Sequence, residues 1–191
     1  MGDLMIKKLL LAVVVVLAVF AVFVATRPGS YRVSRSKAIS APPTTVYAQV
    51  ADFHQWEKWS PWAKLDPAMK TSFEGPVGAA GSSYAWTGND KVGEGRMTIE
   101  EARPGERLRI RLEFVRPFAS TNSTTFTFAP KSGATETTWT MQGNNGFAGK
   151  AFGIFMDMDK MIGNDFDKGL AQLKTVAESE AGNSPAAAAA R

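Results

Sequence analysis

The segment RLRIRLEF, Arg107 to Phe114, alternates without a break: Leu108, Ile110, Leu112 and Phe114 on one side, Arg107, Arg109, Arg111 and Glu113 on the other. Strict period two is the pattern of a strand with one face buried and one face wet. Such a strand belongs in an antiparallel sheet, which must bury its apolar face against a second layer. The flanking sequence supplies its neighbours. MKTSFE (Met69–Glu74), SSYAWT (Ser82–Thr87) and GRMTIEEA (Gly95–Ala102) are period-two runs upstream, with Tyr84 and Trp86 on one face of the second and Met97 and Ile99 on one face of the third. Pro104 and Gly105 occupy the central positions of a type II turn. Downstream, STTFTF (Ser123–Phe128) and TETTWTMQ (Thr135–Gln142) continue the run across a turn containing Gly133.

The covering layer is predicted from Phe147 to Ala177. At about 100° per residue, Phe152, Phe155, Ile162, Phe166, Leu170, Leu173 and Ala177 form one apolar stripe on a long helix. Ahead of the meander, YRVSRSKAI (Tyr31–Ile39) reads as a first strand. A short helix follows, with Pro42 and Pro43 at its start, Ser40 as a candidate cap, and Val46, Val50 and Phe53 on one face. Next comes DFHQWEKWSPWAKLDP (Asp52–Pro67), with three of the five tryptophans and the only histidine, where Pro61 stops any helix. The order is strand, short helices, about six further strands and a long helix: an α+β fold of about seven antiparallel strands. A strongly curved sheet gripping one helix leaves a space between the two, the natural place for a ligand.

At 191 residues and 45% hydrophobic composition, the chain has room for one core-bearing domain, expected over 31–177. Ahead of it, residues 1–27 read as a membrane anchor. Leu9 to Ala25 is uncharged, roughly 26 Å as a helix, and Leu4 to Ile6 extend it while Lys7 and Lys8 snorkel, so membrane contact is expected through residues 4–26. A cleaved signal peptide is the competing reading, but the candidate cut sites are poor: Phe23 and Ala25 fit badly, and Val19 and Ala21 lie inside the apolar run. Lys7 and Lys8 place the N-terminus inside, whereas Arg27, Arg32, Arg35 and Lys37 pull the other way. The bacterial export-like start favours a single-pass protein with its domain on the extracytoplasmic, periplasmic side. Residues 178–191, ESEAGNSPAAAAAR, read as a disordered tail.

The element order and local motifs resemble the START-like (SRPBCC) superfamily, in particular its bacterial polyketide cyclase/dehydrase-like branch. The resembling residues are ISAPPTTVYAQVADFHQWEKWSPW (Ile39–Trp62), GEGRMTIEEARPGERLRIRLEF (Gly93–Phe114), TTFTFAP (Thr124–Pro130) with TETTWTMQG (Thr135–Gly143), and FGIFMDMDKMIGNDFDKGLAQLK (Phe152–Lys174). The element at Trp56, Trp59, Ser60 and Pro61 is the most specific of them. The resemblance implies a helix-grip fold, a curved sheet around a C-terminal helix with an internal hydrophobic cavity. It says less about activity, since members bind lipids, sterols, polyketides or hormones and only some are catalysts.

Catalytic constellations are sparse. Without cysteine there is no thiolate chemistry, and His54 has no second histidine, so no metal or cofactor is expected. His54 itself reads as a surface residue. Asp159 falls within the predicted apolar stripe, where a carboxylate costs several kcal/mol unless paired or wet. It either hydrogen-bonds to nearby backbone or pairs with an arginine as a structural anchor, or it faces the cavity and orients a polar ligand group or serves as an acid–base group; Asp157 falls on the polar face. Ile154, Met158 and Met161 make a second apolar face, for a covering loop or for an entrance or partner surface. The Arg107, Arg109 and Arg111 stripe is surrounded by Glu100, Glu101, Glu106 and Glu113, so cross-strand pairing explains it without nucleic acid. Expected cavity residues are Trp56, Trp59, Tyr84, Trp86, Met97, Phe114, Trp139, Phe155 and Asp159, with Trp62 on a rim. Three readings follow: an anchored, non-enzymatic module binding a hydrophobic small molecule or lipid; a cyclase/dehydrase-type enzyme using Asp159; or a partner-binding protein with a filled core.

Overall fold

The computed structural model describes residues 2–155 and 157–183, without the side chains of residues 2, 3, 148, 152 and 158. Helix α1 (Gly2–Ala25) leads into β1 (Ser30–Ile39), α2 (Pro43–Ala51) and, past a single 3-10 turn, α3 (Trp56–Trp59). Six strands follow: β2 (Lys70–Glu74), β3 (Ser83–Thr87), β4 (Glu94–Arg103), β5 (Arg107–Arg116), β6 (Ser120–Lys131) and β7 (Ala134–Asn144). Helices α4 (Phe147–Phe155) and α5 (Met158–Gly182) end the described chain.

The strands form one antiparallel sheet in the order β1-β7-β6-β5-β4-β3-β2. It is a meander from β2 to β7, with β1 added beside β7 in register from Ser30–Asn144 to Ile39–Thr135. A register shift in β4 between Ile99 and Glu101 marks a bulge, the usual device for bending a sheet. Gly105 at φ +73° completes the expected turn into β5. In β5, Leu108 and Ile110 are fully buried while the arginines face outward. Arg109 pairs with Glu100 and Glu101 at 3.3 and 3.0 Å, and Arg111 lies 3.5 Å from Glu113, so the basic stripe is neutralised on its own sheet face.

The expected single helix over 147–177 is two. Asp157 adopts an extended backbone (φ −77°, ψ 96°), and its carboxylate accepts the Lys160 backbone N–H at 3.0 Å. Aspartate competes for nearby backbone donors and so starts a helix better than it continues one. The break resets the angular phase. In α5 Phe166, Leu170, Leu173 and Ala177 are buried and Ile162 is half-buried, whereas Phe155 swings out to 77% exposure. The side chains of Phe152 and Met158, assigned to the helix faces above, lie outside the described residues, as do residues 184–191 of the expected tail.

Helix α5 also runs past the expected domain end at Ala177. Glu178 accepts the Ser40 backbone N–H at 2.6 Å and pairs with Lys174, which stitches this turn to the end of β1. Residues 178–182 are therefore helical rather than tail. Ser40 does not cap α2; Pro42 stands at that position.

Candidate functional site

A cavity of about 1270 Å³ lies between the inner face of the sheet, α3 and the first half of α5. Its wall follows directly from strand register. One lateral row crosses all seven strands: Tyr31, Gly143, Asn122, Leu112, Met97, Tyr84 and Phe73. A second row, Ser120, Phe114, Gly95, Trp86 and Thr71, lies one pleat nearer the start of β1. On the other side, Val33, Ile110 and Ile99 close the floor as solid core. Across from the sheet the wall is completed by Phe53, Trp56, Trp62, Ile162 and Phe166.

Two glycines shape the rows. A Cβ at Gly95 would stand 2.5 Å from the Trp86 ring, so glycine lets that indole lie over β4 and meet Phe114 edge-on at 5.8 Å. A Cβ at Gly143 would stand 2.0 Å from Asn122 Oδ1 and 2.9 Å from the Tyr31 hydroxyl. Glycine there opens the passage through which Tyr31 donates to Asn122 Oδ1 at 2.8 Å, across the intervening strand. Burial pushes the Tyr31 phenol up from its ordinary value, so it stays a protonated donor.

Two more polar groups are buried on the wall. Thr124 Oγ1 and Trp139 Nε1 have no hydrogen-bond partner among the described residues, although both side chains are at least nine-tenths buried. Orphaned buried polar atoms are costly, and they are satisfied when a bound molecule or water brings a partner. The Trp139 ring stacks on Phe166 (4.0 Å, 7°) and, at a tilt of 30°, on Phe126 (4.8 Å). The result is an apolar chamber with a polar edge made by Tyr31, Asn122, Ser120 and Thr124.

The tryptophan segment divides its labour. Trp59 is 0% exposed and donates to the Gln49 carbonyl at 3.0 Å; Trp56 donates to Val50 at 2.8 Å. Both thereby satisfy C-terminal carbonyls that α2 leaves without intrahelical partners. Trp56 and Trp62 touch the cavity, and Trp62 meets Trp139 edge-on at 5.8 Å. His54 reaches the wall too, stacked on Phe73 at 4.1 Å with Nδ1 2.7 Å from Asp52. Burial pushes the Asp52 carboxyl up, but the hydrogen bonds from His54 and Gln55 outweigh it and hold the group below its usual range.

Of the nine side chains expected from sequence, Trp56, Tyr84, Trp86, Met97, Phe114 and Trp139 line the cavity. Trp59 sits behind the wall as core. Phe155 is on α4, 6.4 Å from Phe20 of α1, because the helix breaks after it. Asp159 is outside, 60% exposed, taking two hydrogen bonds from Arg35 at 3.0 and 3.2 Å. Those bonds hold its carboxyl below the ordinary range. The Arg35 guanidinium reaches it across Gly163, where a Cβ would stand 1.9 Å from a guanidinium nitrogen. Tyr31, Phe73, Leu112, Asn122 and Thr124 are among the wall residues absent from the expected set. The signal was there: Asn122 and Thr124 share the inward parity of Phe126 and Phe128, and polar residues at inward positions mark a lined space rather than packed core.

Residues 30–178 match the family model described as polyketide cyclase / dehydrase and lipid transport. Among solved structures, a Chromobacterium violaceum protein is similar over 80% of this chain and 99% of its own, at 20% identity and a TM-score of 0.56. A Thermobifida fusca protein shares 19% identity over 76% of this chain and 92% of its own, with a TM-score of 0.59. Ara h 8.0201 shares 14% identity over 79% of this chain and 99% of its own, with a TM-score of 0.56. At these identities the structural likeness concerns the fold. No curated protein matches the sequence.

Proposed function

Because the chain belongs to the polyketide cyclase / dehydrase and lipid transport family, we propose that it is a membrane-anchored module that holds a hydrophobic small molecule or lipid between its sheet and α5. The observation that carries this reading is the cavity itself. At about 1270 Å³ it exceeds the roughly 300–1,000 Å³ usual for small-molecule sites, and aromatic and aliphatic side chains make much of its lining. The polar edge suits one uncharged polar end: Tyr31 and Asn122, joined by their hydrogen bond, and Ser120 line the chamber there. The charged residues on the wall include three carboxylates, Glu57, Asp66 and Asp165, against one lysine, Lys91, which disfavours an anionic ligand.

The role is binding rather than catalysis. Asp159, the acid–base candidate, is turned away from the chamber and engaged by Arg35. The anchor is α1, whose apolar stretch Leu4–Ala25 matches a hydrocarbon layer of about 30 Å; Lys7 and Lys8 near its start support a domain on the extracytoplasmic side. Native mass spectrometry of the full chain extracted from membranes tests the reading. A lipid-sized adduct that persists in Asp159→Asn is expected. Reproducible absence of any adduct overturns binding, and a substrate turned over by the native chain but not by Asp159→Asn overturns the non-catalytic role.

A further inference from the structure

We propose that α4 and the β5–β6 turn seat the mouth of the cavity on the bilayer that holds α1, so that ligand passes between the acyl layer and the chamber without crossing water. This rests on reading α1 as an anchor. The start of β1, the end of β7 and the β5–β6 turn lie at one end of the sheet, and the cavity lining extends to that end, to the exposed Phe118 and to Asn145 and Gly149. Helix α1 leaves at that same end. The Asn145 backbone N–H donates to the Gly29 carbonyl at 2.6 Å, and Lys150 Nζ donates to the Ala25 carbonyl at 3.3 Å.

Two observations set the depth. Phe155 of α4 meets the Phe20 ring at 6.4 Å. Phe20 lies about 7.5 Å along the axis from Ala25, within the depth of about 5–10 Å that interfacial helices reach. Any membrane crossed by α1 up to Ala25 therefore also holds Phe155. The second observation is what α4 and its neighbour turn show to the outside. Phe147, Phe155 and Phe118 are 56%, 77% and 76% exposed, a concentration of large apolar side chains that an aqueous surface penalises. Lys150, and Arg27 over the Phe23 ring at 4.2 Å, supply cations at headgroup level.

The absence of native cysteine makes single-site labelling direct. The full chain, carrying an environment-sensitive fluorophore at Phe118→Cys, Phe147→Cys or Phe155→Cys, is reconstituted in phosphatidylcholine vesicles containing lipids with a nitroxide high on the acyl chain. Val16→Cys reports the span, and Ser132→Cys and Glu106→Cys report the far end of the sheet. Quenching at all three phenylalanine positions, comparable with Val16 and several-fold above Ser132 and Glu106, is the expected result. If Val16 is quenched while the three positions match Ser132, the docked mouth is overturned and the anchor stands. An unquenched Val16 overturns the anchor, and the docked mouth with it.

Discussion

Gly143 shows how one missing side chain organises a site. Its lack of a Cβ allows Tyr31 and Asn122, on strands that are not neighbours, to join over β7. In Gly143→Ala the new methyl takes the place of Asn122 Oδ1, the bond opens, and a 5%-exposed carboxamide loses its donor. The expected destabilisation is about 1–3 kcal/mol, the cost of a buried polar group left unmatched, and Tyr31→Phe is expected to fall at the lower end. Urea unfolding of the two variants checks the order, which reverses only if the hydroxyl matters apart from Asn122. Trp59 makes the contrasting case. It has no surface on the cavity, so Trp59→Phe is expected to cost about 1–3 kcal/mol by orphaning the Gln49 carbonyl while leaving the ligand adduct intact. Trp62→Ala is expected to do the opposite: a small change in stability with a weaker adduct in native mass spectrometry.

At the scale of elements, α5 is clamped to β1 at both ends. Arg35 grips Asp159 and, at 3.3 Å, Asp167; in the far half of α5, Lys174 donates to the Ala38 carbonyl and Glu178 takes the Ser40 N–H. Arg35 holds the Asp159 carboxyl below its ordinary 3.8, and Lys174 with Ser40 holds Glu178 below its ordinary 4.5. Both folded-state values are depressed, so this stabilisation is fully present above the ordinary values and disappears as pH falls through the lower, folded ones. Melting temperatures taken downward from pH 4.5 should therefore drop more steeply in the native chain than in Asp159→Asn/Glu178→Gln. Equal slopes would mean that neither clamp contributes. The same helix marks the limit of what periodicity reveals. The alternation of Arg107–Phe114 and the Phe166–Ala177 stripe were legible because each repeats one local rule over many residues. The break at Asp157 was not, because a single capping side chain outweighed a continuing apolar pattern. That one break explains why Phe155 lies outside the cavity; Asp159, in the first turn of α5, is held outside by Arg35. The inward parity of Asn122 was legible too, but its bond with Tyr31 was not, because that depends on which strands become neighbours and no local window contains it.

The whole molecule joins one long apolar helix to a chamber through very little structure. Among the described residues, α1 meets the domain mainly at α4, through Phe20 and the Lys150–Ala25 bond, whereas the sheet and α5 share one continuous core. Removing residues 2–25 should therefore detach the domain from the membrane without unfolding it, since no residue of α1 belongs to that core. The truncated domain should move to the soluble fraction and keep a cooperative melt, yet its apolar collar at Phe118, Phe147 and Phe155 would still favour lipid surfaces, giving weak, salt-tolerant binding to vesicles. Substituting all three phenylalanines by serine should abolish that residual binding. A truncated domain that fails to melt cooperatively would show instead that α1 is a structural part of the fold. A reporter fused after Gly182 in the full chain reads the remaining variable. Activity on the extracytoplasmic side agrees with Lys7 and Lys8 retaining the N-terminus inside, whereas cytoplasmic activity would mean that Arg27, Arg32, Arg35 and Lys37 decide the orientation and that the chamber draws its ligand from the inner leaflet.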